Sequence, residues 1–242
     1  MSYEALACIY DRINGNAYLP YADMLEQAFA LADIPVREVL DLGCGTGGIT
    51  ALLADRGYDM IGLDCSPEML NFARERNQGR NTLLLCQDMR EFELYGTVQA
   101  IYSSFDCLNY ITESKDLSQV FVLVRNYLET GGLFILDVNT EHRYSQVYDG
   151  KSYVYEFEDS LTVWRSEYEK ESGLCYFDLD TFIELDDGCY ERFSETQTQK
   201  YHSREDIIAA ASGFELVSLS GGKGFDGCEE AEKDYYIFKK IG

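Results

Sequence analysis

The sequence predicts an α/β fold: a mostly parallel sheet covered by helices on both faces, with an antiparallel β-layer inserted into it. Three observations carry this. Short apolar runs alternate with helical patterns between residues 36 and 138, a glycine-rich turn follows the first run, and beyond Asn139 the rhythm changes to long period-two segments.

Each element has its own justification. Residues 20–32 read as a helix, with Pro20 suited to its first turn and Tyr21, Leu25, Ala28 and Phe29 forming an apolar stripe. Residues 36–42 are the first strand, and a helix runs from the glycines to about Arg56. Residues 60–64 form the second strand, after which Ser66 caps a helix with Pro67 at its first position. Strands follow at 82–86 and 98–105, then a helix over 114–129 that Gly131 and Gly132 end, and a fifth strand at 133–138. In the insertion, segments 161–170, 174–185 and 189–201 are joined by turn chemistry at Ser172-Gly173 and Asp186-Asp187-Gly188. Cys175, Phe177, Leu179, Thr181 and Ile183 share one face of the middle segment. A helix over 204–212 is capped by Ser203 with Asp206, and 214–219 and 235–240 are closing strands around a Gly-rich, acidic loop expected to be mobile. The chain thus divides into a core, residues 1–140 and 202–242, and an inserted β region, 141–201, expected to serve as substrate site or lid.

Composition narrows the function. A chain of 242 residues suits one domain with an insertion, and a hydrophobic share of 46% is that of a folded protein. There is no apolar run long enough to span a bilayer and no secretion pattern in the first ten residues, so the expected location is the cytoplasm, away from membranes. The net charge of -23, without Lys or Arg clusters, argues against a nucleic-acid partner and for a small-molecule substrate, with the chain a monomer or homodimer. The acidity reads first as a solvated surface and also as a field that attracts cationic ligands. Eight cysteines without a C-x-x-C pair read as reduced thiols. Cys44, Cys65, Cys86 and Cys107 recur every 21 residues, near successive strand ends, where diverging strands do not favour a shared metal; no metal is expected.

The chemistry sits in Val39-Leu40-Asp41-Leu42-Gly43-Cys44-Gly45-Thr46-Gly47-Gly48. Glycines 43, 45 and 48 satisfy G-x-G-x-x-G between a strand and a helix, a pattern that alone also fits a dinucleotide site. The acids decide. Asp41 before the first glycine would repel a pyrophosphate and attract an ammonium; Asp64, ending the second strand, can accept from both ribose hydroxyls; Asp88 can accept from an adenine amino group. Three acids at three successive strand ends describe one edge of a sheet, where α/β ligands bind. The cofactor they suit is S-adenosylmethionine, with S-adenosylhomocysteine as its product.

With these residues, and with Ser66-Pro67-Glu68-Met69, Gln87-Asp88-Met89-Arg90 and Phe105-Asp106-Cys107-Leu108-Asn109-Tyr110, the chain resembles the class I S-adenosylmethionine-dependent methyltransferases. The resemblance is to a branch of small bacterial enzymes with an antiparallel insertion, relatives of glycine and amino-sugar N-methyltransferases. It implies a Rossmann-like sheet whose closing strand runs antiparallel to the rest. It also implies a cofactor site of Asp41, Gly43, Cys44, Gly45, Asp64, Cys65, Asp88, Met89, Ser103 and Ser104, and a lid bearing Ile9-Tyr10-Asp11.

A sulfonium is already an activated donor, so the protein has to align donor and acceptor and exclude water. A base is needed only for a hydroxyl or a protonated amine. Candidates near the reaction are Tyr10, Tyr18 and His142, with His202 a weaker one; Trp164, Tyr176 and Arg192 of the insertion are candidates for the substrate, Arg192 for a carboxylate. Two alternatives remain, a nicotinamide-dependent oxidoreductase and a non-catalytic nucleotide-binding module. Radical chemistry would need three clustered cysteines, and these are scattered.

Overall fold

The computed structural model describes residues 4–222 and 231–242. Its main sheet comprises β1 (Glu38–Leu42), β2 (Asp59–Asp64), β3 (Thr82–Cys86), β4 (Val98–Ser103), β5 (Leu128–Asn139), β10 (Phe214–Gly222) and β11 (Lys233–Lys240), in the order β10-β11-β5-β4-β1-β2-β3. The pairs β1–β2, β2–β3, β1–β4 and β4–β5 are parallel, and β11 pairs antiparallel with both its neighbours, which makes it the one reversed strand. The chain winds outward from β1 to β3 and then crosses back to β4, so the strand order reverses between β1 and β4. Loops leaving neighbouring strands in opposite directions open a crevice there.

Burial on both faces explains the apolar strands. Val39, Met60, Ala100, Tyr102 and Ile135 pack under α1 (Glu4–Phe29) and α2 (Gly48–Asp55). Leu40, Leu42, Leu63, Ile101 and Phe134 face the other way, against α4 (Ser114–Tyr127) and α5 (Arg204–Ala210). The caps read from sequence are present. Ser66 caps α3 (Pro67–Arg76) by accepting from the Met69 backbone, and Ser203 and Asp206 form a capping box on α5.

Two boundaries differ from expectation. The first helix starts sixteen residues before Pro20, at Glu4, and carries that proline in its interior. Packing of Tyr18, Tyr21, Ala22 and Leu25 on the sheet outweighs the hydrogen bond that proline removes. The fourth helix stops at Tyr127, and Gly131 and Gly132 lie inside β5 rather than before it. Gly131 takes φ +83 where the β4–β5 register shifts, and a Cβ on Gly132 would stand 2.6 Å from the Gln99 carbonyl. Of the acidic loop expected between the closing strands, residues 223–230 lie outside the described part.

The second sheet is an antiparallel meander, β6 (Ser152–Glu156), β7 (Ser160–Glu169), β8 (Leu174–Glu184) and β9 (Tyr190–Lys200), one strand more than the three segments evident in the sequence. Cys175, Phe177 and Leu179 turn inward as the alternation requires, onto Tyr144 and Tyr148 of a π-helical segment, Arg143–Tyr148. β9 is tied to the carboxyl edge of the main sheet. Asn109 Nδ2 donates to the Lys200 carbonyl (2.8 Å), Tyr110 Oη to Gln197 (2.8 Å) and Gln199 Nε2 to Asp106 (2.8 Å). The inserted sheet therefore stands over the crevice.

Candidate active site

One cavity of about 1030 Å³ fills the space between the carboxyl edge, α1 and the second sheet. It is at the upper end of the range of about 300–1,000 Å³ typical of small-molecule sites, roomy enough for a donor and an acceptor together. Of the residues singled out in the sequence, it brings together Tyr10, Gly43, Gly45, Asp64, Cys65, Asp88, Met89, Ser104 and Trp164. Asp41, Cys44, Ser103, Tyr18, His142, Tyr176 and Arg192 are not in its wall.

The glycine turn forms its floor. Gly43 and Gly45 take φ +88 and +54, the left-handed region that favours glycine, and a Cβ on Gly43 would lie 2.2 Å from Cys107 Sγ. Asp64 braces the turn. Its carboxylate accepts from the backbone N–H of Gly45 and of Ser66, both at 2.8 Å. Burial pushes the Asp64 carboxyl above its usual range, against the pull of those N–H donors. Asp88 pairs with Arg90, which holds its carboxyl below the usual range.

Asp41 does not reach the cavity, and the reason is strand alternation. It shares a face with Val39, under α2, where Thr50 Oγ1 donates to it at 2.5 Å. Its other oxygen has no partner, and burial pushes its carboxyl up to about 7. Cys44 and Ser103 are buried too, outside the cavity wall.

The first helix covers the cavity, and the adjacent Asp11 and Arg12 fasten it to two different elements. Asp11 accepts from Thr46 Oγ1 (2.6 Å) and Tyr18 Oη (2.7 Å) and pairs with Arg76. Burial works against its charge, and the Arg76, Thr46 and Tyr18 donors hold its carboxyl low. Arg12 pairs with Asp159 in the connection between the first two strands of the inserted sheet. Tyr18 thus acts one layer back from the cavity, with its ring edge-on to Phe105 at 5.7 Å.

Above β4 the backbone is unusual. Phe105 and Asp106 both adopt left-handed φ values, 56 and 53. That conformation costs non-glycine residues roughly 1–2 kcal/mol each. The fully buried Asp137 of β5 holds it, accepting from the N–H of Phe105 (2.8 Å) and of Asp106 (2.9 Å) and from Tyr21 Oη (2.6 Å). Lys233 Nζ then bridges Asp137 (2.6 Å) and Asp106 (2.7 Å). Although burial opposes its charge, Asp106 and Asp137 raise the Lys233 pKa, and Lys233 in turn holds the Asp106 carboxyl low against the same burial. Two carboxylates share one ammonium here, and the Arg143 guanidinium adds a second positive charge that acts on Asp106. None of Asp106, Asp137 and Lys233 was picked out as a site residue from sequence. The legible signal was Asp137 itself, an acid inside Leu133-Phe134-Ile135-Leu136-Asp137-Val138, placed like Asp41 in its own apolar strand.

The far half of the cavity belongs to the insertion and its approach, with Tyr110, Arg143, Tyr148, Tyr153, Tyr155 and Trp164 in its wall. The candidates at the periphery are placed elsewhere. Tyr176 points outward, Arg192 pairs with Asp180 on the outer face together with Arg165, and His142 precedes the π-helical segment. His202 is buried outside the cavity wall, where desolvation lowers its pKa.

A reversing parallel sheet with a glycine turn, an acid at the end of β2 and one cavity shared with the inserted sheet defines a Rossmann-like transferase of a nucleoside cofactor. Comparison with known proteins makes this specific. Residues 39–132 match the family model described as a methyltransferase domain. The "Putative methyltransferase YqeM" of Bacillus subtilis (strain 168) is 30% identical over 221 residues, 89% of this chain and 87% of that one. A solved S-adenosylmethionine-dependent methyltransferase from Clostridium acetobutylicum ATCC 824 superposes with a TM-score of 0.87 at 27% identity, covering 99% of each chain. The amino pentose methyltransferase CalS10 from Micromonospora echinaspora shares the fold, with a TM-score of 0.72 at 23% identity over 93% of this chain and 91% of its own. The chain belongs to the S-adenosylmethionine-dependent methyltransferase family, and the nicotinamide alternative finds no support. Among the described residues no helix is long and apolar enough to cross a membrane.

Proposed function

We propose that this methyltransferase holds its cofactor along the floor and near wall of the cavity and its acceptor, a small molecule with an amine or a hydroxyl, in the chamber under the inserted sheet. The observation that carries this reading is that Gly43, Gly45 and Asp64 share one cavity with Trp164 and Leu179 of the insertion. Asp64 takes the ribose hydroxyls, Asp88 and Met89 border the adenine, and the backbone at Gly43 and Gly45 meets the amino-acid part. Ser104 to Asp106 face the methyl end. The Asp106 carboxylate, in the same wall, suits a sulfonium. Residues 141–201 then act as the substrate region, and α1 as the cover that excludes water.

Rate enhancement in this reading comes from alignment and desolvation. His142, outside the wall, takes no part; an acceptor amine that arrives unprotonated needs no base. Tyr10 lines the cavity, and burial raises its pKa well above the ordinary value, so its hydroxyl stays protonated and serves as a donor. The acidic surface, at a net charge of -23, fits a cytoplasmic monomer or homodimer that does not bind nucleic acid. Equilibrium dialysis and transfer from labelled cofactor to a pool of cell metabolites test the reading. Binding of S-adenosylmethionine with label in a small molecule is expected; binding without any transfer would favour the non-catalytic module instead.

A further inference from the structure

We propose that Arg143 is the anchor for a carboxylate on the methyl acceptor, so that the second substrate is a small acid with an apolar or aromatic body. This rests on reading the inserted-sheet half of the cavity as the acceptor chamber.

Arg143 opens the π-helical segment beyond β5 and lines the cavity with 22% of its side chain exposed. Two contacts fix its guanidinium. Nε donates to Tyr148 Oη at 2.7 Å, and Cζ lies 5.0 Å from the centre of the same ring. Among the described residues its hydrogen bonding ends there. Nη1 stands 3.8 Å from Glu232, beyond hydrogen-bond reach. A guanidinium carries five N–H groups in one plane, so a pinned Nε leaves the four on Nη1 and Nη2 in a fixed plane, the geometry that grips a carboxylate with two parallel bonds. Asp106 and Glu232 balance the charge without hydrogen-bonding those donors.

The other cations around the cavity are engaged. Lys233 bridges Asp106 and Asp137, and Arg90 pairs with Asp88 at the nucleoside end. Arg165 and Arg192, on the inserted sheet, both close on Asp180 outside the cavity wall. The surfaces next to Arg143 suit a carbon skeleton. Trp164 stacks on Tyr148 with an interplanar angle of 26°, and Tyr153, Tyr155 and Leu179 continue the wall. An acid bound there is partly walled off from solvent, where a charge-assisted pair is stronger than at an open surface.

The test uses the full chain saturated with S-adenosylhomocysteine, and calorimetry with phenylacetate against phenylacetamide, followed by a panel of short aliphatic acids and their amides. Acids are expected to bind about tenfold or more tighter than the matching amides. Arg143→Gln should erase that preference, and Arg143→Lys, with charge but no planar fork, should keep part of it. Binding of S-adenosylhomocysteine by each variant reports that its fold is intact. Equal affinity for acids and amides, a preference that survives in Arg143→Gln, or no acid bound by the loaded wild type at millimolar concentration would each overturn the proposal. Failure of the wild type to bind S-adenosylhomocysteine at all would instead sink the underlying cofactor assignment.

Discussion

Gly48, the last glycine of the G-x-G-x-x-G turn, lies directly beneath the Tyr18 ring: a Cβ there would stand 2.4 Å from Tyr18 Cε2. In this chain that glycine serves the covering helix, since Gly48 is buried and absent from the cavity wall. Gly48→Ala should therefore act through α1. Alanine favours a helix by up to about 1 kcal/mol over glycine, but the overpacked ring has to move, which costs about 1–3 kcal/mol. A lower denaturation midpoint with an unchanged denaturant slope is expected. Stability equal to wild type would mean that Tyr18 yields without cost.

Asp11 should matter to cofactor retention although it touches no proposed ligand position. It is the acceptor through which Thr46 and Arg76 fasten α1 over the glycine turn, with Tyr18 of the same helix donating to it as well. Asp11→Ala removes those charge-assisted bonds, worth about 1.5–3 kcal/mol as a class. S-adenosylhomocysteine should leave several times faster, read by stopped-flow displacement, while the far-ultraviolet circular dichroism stays that of a folded α/β protein. A dissociation rate equal to wild type would show that the helix cover plays no part in retention.

How far the sequence reaches follows from what each residue interacts with. The β–α rhythm, the Ser66 and Ser203 caps and the inward face of β8 were legible because local periodicity and capping chemistry decide them. Pro20 misled because its helix is held by long-range packing that no local rule records. The strand-end acids were found as a set, but Asp41 and Asp64 part company in three dimensions: alternation turns one beneath α2 and leaves the other at the cavity. Arg143 and Lys233 were invisible as site residues because their importance arises from partners ninety or more positions away, as in the Lys233–Asp137 bridge, or from a π-helical turn that the pattern does not encode.

Asp64→Ala should weaken cofactor binding by about 1.5–3 kcal/mol, the range for lost hydrogen bonds to a charged group. The carboxylate has two tasks, bracing the Gly45 and Ser66 backbones and meeting the ribose. Asp64→Asn separates them: the amide keeps an oxygen for one brace but loses the second acceptor. Calorimetry with S-adenosylhomocysteine should rank wild type above Asn and Asn at or above Ala. Unchanged affinity in Asp64→Ala would refute the ribose assignment.

Asp41 should make the cofactor-free protein less stable as pH rises. Its folded pKa is pushed up to about 7, first by desolvation, against about 3.9 in an unfolded chain. Between those values the unfolded state gives up the proton while the folded state keeps it, so the unfolded state binds fewer protons and stability falls with increasing pH. The loss begins near pH 4 and is complete just above pH 7, at about 4 kcal/mol for a shift of about three units. Asp41→Asn abolishes the titration. Its amide oxygen can still accept from Thr50 Oγ1, and its nitrogen faces Tyr102 Oη, which acts on the Asp41 carboxyl in the wild type. Denaturant unfolding without cofactor at pH 5 and pH 8 should show a smaller decline in the variant, with the variant the more stable protein at pH 8. Subtracting one curve from the other isolates Asp41 from Asp64, whose carboxyl is also raised by burial and titrates in both proteins. Parallel curves would show that Asp41 is ionised in the fold at both pH values, and that its neighbours solvate the charge better than their geometry implies.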